Sequence, residues 1–230
     1  MRKLSLLMLT FAFAAASFSQ NYRINHYTVN QGLSQSVIYS ILQDSRGFIW
    51  VGTQDGLNRF DGYSFIKYLH TPSDTNSLSD NWVYSISEDS NGNLWIGTRR
   101  GLCKYNYTLN NFSRYPHNPE YQNDPYRDNV YGCAISKEGK IYTNTPPLIN
   151  LFDPKSKKFT HYMNSIGANQ NVEDQSLPII IDKEGIIWAA TTSGLARFDP
   201  KTEKFTNFQN NPSNKNSISN NSILALFEDN

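Results

Sequence analysis

Asp44-Ser-Arg-Gly47-Phe-Ile-Trp50-Val-Gly-Thr53-Gln-Asp-Gly56-Leu-Asn-Arg-Phe60 is the stretch that decides how this chain is read. Asp-x-x-Gly is a tight turn, because Asp can bond its own backbone two residues on and Gly takes the left-handed conformation. An aromatic-led strand follows and ends in Thr53; Gly56-Leu57 opens another, which ends at Phe60. The same frame returns as Asp89-Ser-Asn-Gly92-Asn-Leu-Trp95-Ile-Gly-Thr98, with Gly101-Leu102 and Tyr105 behind it. It returns again around Tyr142-Thr-Asn-Thr145 and Trp188-Ala-Ala-Thr191. Steps between the aromatic positions are 45, 47 and 46 residues.

The rest of each unit keeps this frame. Ahead of the aromatic stand Asp44, Asp89, Ser136 and Asp182, then Gly47, Gly92, Gly139 and Gly185. Behind it come Phe60, Tyr105, Phe152 and Phe198, then Phe65, Phe112, Phe159 and Phe205, then Tyr68, Tyr115, Tyr162 and Phe208. Each unit reads as four short strands with turn signals between them. A repeat near 45 residues with four strands has the length of a propeller blade. The fold class is therefore all-β: propeller blades of four antiparallel strands, about four present, with units near 32–76, 77–122, 123–174 and 175–216 and a partial one at 217–230. Ile24 and Tyr27, followed by Gly32-Leu33-Ser34, resemble the end of a unit, so a leading outer strand is expected there. Such a strand ties a propeller ring shut by completing its last blade. Only Asn230 follows Asp229, where the turn of a fifth unit should begin, so the chain reads as an incomplete propeller and the front of a longer protein.

Composition bounds the function. Lys plus Arg is 21 and Asp plus Glu is 20, a net charge of +1, which offers nothing to nucleic acid or an anionic membrane surface. Residues 1–19 read as a secretory leader: Arg2 and Lys3 precede an apolar run from Leu4 to Ala16, with Ser17 and Ser19 spaced for cleavage before Gln20. The rest, 20–230, is expected outside the cytoplasm. Cys103 and Cys133 occupy non-equivalent places in successive units, and two small buried residues are preferred to a disulfide.

Gly32-Leu-Ser, followed by Ile41 to Phe60 as quoted, resembles the two-component regulator propeller repeat, and the second unit fits equally well. The third unit departs: it lacks the Gly before Thr145 and has Pro146-Pro147 where the Gly-Leu turn belongs. The fourth has Ala190 for Gly. The resemblance implies the periplasmic sensor region of a bacterial hybrid two-component histidine kinase. In such proteins the propellers precede a small β-sandwich, a membrane helix, a kinase, a receiver and often a DNA-binding domain. It also implies a polysaccharide-derived ligand. The parent would be the kinase, anchored in the inner membrane, and this segment would not be an enzyme.

Residue chemistry gives little else. His70 and His117 share one repeat position, and His26 and His161 another, so they belong on different blades and no metal site is expected. The Asp-x-x-Gly series reads as turns rather than calcium loops. No nucleophile elbow, phosphate loop or dinucleotide fingerprint occurs, and no catalytic residue or cofactor is assigned. Aromatics that recur in every unit read as blade-to-blade core.

Residues that break the repeat are better ligand candidates. Connections from the fourth strand to the next first strand share one rim with the turns between second and third strands, and that rim commonly binds ligands. Near it lie Asn81, Trp82, Arg99, Arg100, Tyr126, Arg127, Asn129, Asn220 and Asn221. Trp82 could be a stacking platform, and Arg99 with Arg100 could pair an acidic sugar or sulfate through forked donors. Three readings stand side by side: a sensor module, which could close against a partner protomer as a homodimer; a stand-alone secreted glycan- or protein-binding propeller; and a propeller lyase.

Overall fold

The computed structural model describes residues 24–116, 128–166 and 177–229. Four antiparallel four-stranded sheets follow one another along the chain. The first is β1 (Ile38–Gln43), β2 (Ile49–Thr53), β3 (Gly56–Phe60) and β4 (Phe65–Tyr68). The second is β5 (Val83–Glu88), β6 (Leu94–Thr98), β7 (Gly101–Asn106) and β8 (Asn111–Tyr115). The third is β9 (Gly132–Ile135), β10 (Ile141–Thr145), β11 (Leu148–Asp153) and β12 (Lys158–Met163). The fourth is β13 (Ile179–Ile181), β14 (Ile187–Thr191), β15 (Gly194–Asp199) and β16 (Lys204–Phe208). Strands are paired in sequence order, as in propeller blades, and β1, β5, β9 and β13 touch in succession.

Each blade buries its faces against its neighbours. Trp50, Leu57 and Tyr68 of the first blade pack on Ile86, Leu94 and Tyr105 of the second. Trp95 and Leu102 meet Cys133, Ile141 and Phe152 of the third, and Tyr142 and Ile149 meet Ile187 and Phe198 of the fourth. Cys103 and Cys133 are free, buried and in different interblade cores. Where no preceding blade packs, the same positions are bare: Ile41 is 65% exposed and its counterpart Ile86 is 9%.

The recurring carboxylate has a specific task. Trp50 Nε1 donates to Asp44 Oδ2 at 2.7 Å, Trp95 to Asp89 at 3.0 Å, and Trp188 to Asp182 at 2.8 Å. The other oxygen accepts turn amides: Arg46 and Phe48 for Asp44, Asn91 and Asn93 for Asp89, Glu184 and Ile186 for Asp182. One side chain thus closes the turn and satisfies an indole N–H inside the core. The third blade has Tyr142, which has no indole N–H, and Ser136 replaces the acid.

Departures in the third unit are compensated locally. Gly52 faces Ser40 across the ladder, and a Cβ there would stand 2.8 Å from Val83 Cγ1 and 2.9 Å from Val83 O of the next blade. In the third blade the pair is reversed: Asn144 faces Gly132. Asn144 reaches the fourth blade, donating to Ala190 O at 2.7 Å and Leu177 O at 3.1 Å. Pro146-Pro147, a cis pair, takes the place of Gln54-Asp55 rather than of Gly-Leu, because Thr145 pairs Leu148 as Thr53 pairs Gly56.

Residues 24–28 form no ladder, and a 3-10 turn follows at Val29–Gln31. Tyr27 nevertheless docks on Phe60 and Phe65 at 4.8 and 5.8 Å, as Tyr68 docks on Tyr105 and Phe112 at 5.4 and 5.5 Å. The Ser34–Thr53 hydroxyl contact likewise repeats Ser79–Thr98. Residues 217–229 also pair with no strand, yet Lys183 N donates to Glu228 as Ser45 N donates to Glu88.

Asp44→Ala would leave the Trp50 indole N–H, the Tyr107 hydroxyl and two turn amides without their acceptor. It should lower stability by about 2–4 kcal/mol, whereas Ser136→Ala should cost under about 1 kcal/mol, read from urea midpoints. Equal losses would contradict the role given to the carboxylate. For Asp89 and Asp182, burial raises the pKa, but the indole and amide donors outweigh it and leave both below the usual 3.8. Depressed carboxylates stabilise above the unfolded value and lose that contribution as pH falls through the folded one. Stability should therefore drop below about pH 4, and thermal melts between pH 2 and 6 would show it.

Candidate functional site

The long connections between blades are held by their own side chains. Asn81 Oδ1 accepts from His70 N at 2.6 Å, and Asn81 Nδ2 donates to Asp55 at 2.9 Å. Asn81 O also accepts Gly56 N, which joins the connection to the turn of the preceding blade. Asn221 repeats the first bond, accepting Asn210 N at 2.7 Å. Asn220 accepts Ser222 N as Asp80 accepts Trp82 N. Asn81, Asn220 and Asn221 therefore hold loops in shape. Asn129 is 2% exposed, donates to Tyr131 Oη at 2.7 Å, and its carbonyl accepts from Thr145 Oγ1. Tyr126 and Arg127 lie outside the described residues.

Trp82, Arg99 and Arg100 do come together. Half-buried Trp82 stacks on Tyr39 of the preceding blade, with centroids 6.3 Å apart and planes at 27°. Arg99 places its guanidinium 5.2 Å from the Trp82 ring and donates its amide to Trp82 O. Exposed Arg100 lies 3.5 Å from Asp80, on the same connection as Trp82.

Beneath them runs an aromatic row that sequence reasoning missed. Tyr39 meets Tyr84 at 5.3 Å, Tyr84 meets Tyr131 at 4.9 Å, and Trp82 meets Tyr84 at 6.1 Å. Each tyrosine stands five residues before the turn Asp44, Asp89 or Ser136, so all three occupy one position of the innermost strand segment. That fixed spacing was the available signal. Burial, with Tyr131 alongside, pushes the Tyr84 hydroxyl well above its usual value, so it is neutral. The result is an inner rim with an aromatic floor, one half-exposed indole and two guanidinium groups. Such a surface can stack a ring and pair an anionic substituent.

Histidines lie elsewhere. His70 Nδ1 contacts Leu78 O at 2.7 Å, and His161 Nδ1 contacts Asn150 Oδ1 at 2.7 Å, two blades away. His117 lies outside the described residues. Among the described residues, no group of three His, Cys, Asp or Glu side chains is arranged for a metal.

Comparison with known proteins agrees with this architecture. The family described as two component regulator propeller matches residues 32–55 and 77–100, so the first two blades carry that repeat. Histidine kinase P4 of Formosa agariphila is 42% identical over 74 residues, 31% of this chain and 5% of its own length. The crystal structure of the extracellular domain of a B. thetaiotaomicron protein assigned as a hybrid two component system superposes with TM-score 0.56. It is 30% identical and covers 79% of this chain and 31% of its own. Streptogramin B lyase superposes with TM-score 0.59 at 15% identity, over 81% of this chain and 58% of its own, which is a likeness of fold alone. This chain spans under a third of the kinase and of the hybrid-system domain it resembles.

Asn81→Ala should lower stability by about 1–3 kcal/mol, because the His70 amide loses its acceptor in a part-buried site. Arg100→Ala removes only an exposed ion pair and should change stability by under about 1 kcal/mol. Chemical denaturation of the two variants tests the division, and it is wrong if Arg100 proves the costlier.

Proposed function

We propose that this chain is the extracytoplasmic, ligand-sensing propeller region of a hybrid two-component sensor and that its ligand is an oligosaccharide released from a polysaccharide. The observation that carries this reading is the 30% identity, over 79% of the chain, with the extracellular domain of a hybrid two component system. The 42% identical stretch in a histidine kinase supports it, as do the propeller repeats at 32–55 and 77–100. In this reading the segment has no catalytic role. The leader at 1–19 exports it, and the parent chain adds further blades, a membrane span and the kinase.

Trp82 and the two arginines fit that ligand chemistry. A sugar ring stacks on the open indole face, and a carboxylate or sulfate substituent pairs with Arg99 and Arg100. Trp82 belongs to the connection entering the second blade yet packs on Tyr39 of the first. Ligand held there bears on the junction between blades. It shifts the parent only as far as it binds one state better than the other, including a state closed against a second protomer.

The test uses the natural full-length protein and a panel of neutral and acidic oligosaccharides, read by calorimetry and by kinase autophosphorylation. At least one oligosaccharide should bind, and Trp82→Ala and Arg99→Ala should each weaken it about tenfold or more, of the order of one lost stacking or forked contact, in variants shown by circular dichroism to remain folded at the temperature of the titration. No binding across the panel, or a natural product with neither kinase nor membrane span, would sink the proposal.

A further inference from the structure

Two of the connections between blades are twins. Thr71-Pro-Ser-Asp74-Thr-Asn-Ser77-Leu78-Ser-Asp-Asn81 leads from the first blade to the second, and Asn211-Pro-Ser-Asn214-Lys-Asn-Ser217-Ile218-Ser-Asn-Asn221 leaves the fourth. They fold alike, bond for bond. Ser77 Oγ accepts from Thr71 N and donates to Thr71 O, as Ser217 Oγ does with Asn211. Asp74 Oδ1 accepts from Asn76 N, and Asn214 Oδ1 accepts from Asn216 N. Asp74 O accepts from Ser77 N, and Asn214 O accepts from Ser217 N.

The first loop holds an arginine. Arg114 of β8, on the second blade, donates Nε–H to Ser77 O at 2.8 Å, and Nη2–H to Asp74 O at 2.6 Å and Ser77 Oγ at 2.7 Å. Beside it Phe112 N donates to Asn76 O at 2.8 Å. These acceptors are main-chain carbonyls and one serine hydroxyl, so they persist where Asn214 and Lys215 replace Asp74 and Thr75. Two nitrogens of one planar group span them. Lysine, with a single nitrogen, does not reproduce that fork. At the second loop, no donor among the described residues reaches Asn216 O or Ser217 O. Leu78 is buried in the core shared with the second blade, whereas its twin Ile218 is half-buried.

The strand position of Arg114 addresses the connection that leaves the preceding blade. Its counterpart in the fourth blade is Asn207, which stands directly before the closing aromatic Phe208 as Arg114 stands before Tyr115. Asn207 exchanges amide bonds of 3.0 and 2.9 Å with Asn164 and reaches Ser165, both on the connection leaving the third blade. A different loop is thus met by a different side chain, and the loop type at 211–217 is the one met by arginine. We infer that 211–217 is a preformed guanidinium site, filled by an arginine on the outer strand of a blade that follows in the parent chain. The loop is closed by its own hydrogen bonds, so the arginine meets a surface already in shape. The inference rests on the proposed parent having blades beyond the fourth.

Arg114 stands 37 residues after Ser77. The coding sequence beyond Asn230 should therefore place an arginine about as far beyond Ser217, directly before the closing aromatic of its outer strand. A fifth unit with any other residue there, lysine included, would overturn the inference and leave the sensor reading standing. No further unit at all would overturn both. The solution probe is the capped peptide Asn-Phe-Ser-Arg-Tyr, the sequence of β8, titrated against the 230-residue chain and followed by the amide resonances of Asn214 and Ser217. It should bind about fivefold or more tightly than the same peptide with lysine or citrulline for arginine, as a lost forked, charged contact requires. Equal binding of the three peptides, or shifts confined to residues outside 211–218, would also overturn it.

Discussion

An indole N–H buried between two sheets needs an acceptor, and in this chain the acceptor is an aspartate on the turn six residues earlier. Much of the architecture follows from that pairing. Trp is large enough to fill the space between blades, and its nitrogen would be costly there if unpaired. The same carboxylate collects the amides of its own turn, so turn, strand and interblade core are fixed together. Between the first two blades it takes Tyr107 of the neighbour as well, so it also joins blade to blade. The coupling is visible within one sequence: the acid is present beside Trp50, Trp95 and Trp188, and is absent beside Tyr142.

Because the faces are satisfied only by neighbours, the end blades differ physically from the inner ones. Ile41 and Ile86 are the same residue at the same repeat position, yet one is bare and the other covered. Tyr27 and Glu228 already make the contacts of a leading outer strand and of a fifth inner strand, although neither segment has a partner to form a ladder. Side-chain docking persists at both ends where backbone pairing does not, which places the repeat's specificity in its interblade contacts.

The blade count, strand order and turn positions were legible in the sequence because they rest on local periodicity and on turn chemistry that admits few residue types. What escaped was reciprocal. The third unit looked defective for lacking a glycine before Thr145, but the small residue had moved across the ladder to Gly132, and strand register decides that only in three dimensions. Pro146-Pro147 sits four and five residues after the aromatic, as Gln54-Asp55 do, so its place in the turn is legible from spacing and agrees with the pairing of Thr145 to Leu148. On the rim, exposure and polarity suggested Asn81, Asn220 and Asn221, yet a polar loop must satisfy its own backbone first, and those amides are spent doing so. Trp82 and Arg99 come together because they lie on adjacent connections, which the repeat does predict. The row Tyr39, Tyr84 and Tyr131 recurs just as interblade core aromatics do, so recurrence alone does not tell the two apart, and on the innermost strand it builds a common surface.

In a protein made of repeated units, a residue that differs from its counterparts is one the interblade packing does not demand, so it is free to serve recognition. The two rims depart from the repeat at different residues. On one, chemistry is added: an indole and two guanidinium groups have no match in the other units. On the other, a cleft between the third and fourth blades is lined by Ser136 and Leu151 where the first blade has Asp44 and Arg59. The added groups make a surface on which a ligand can lie.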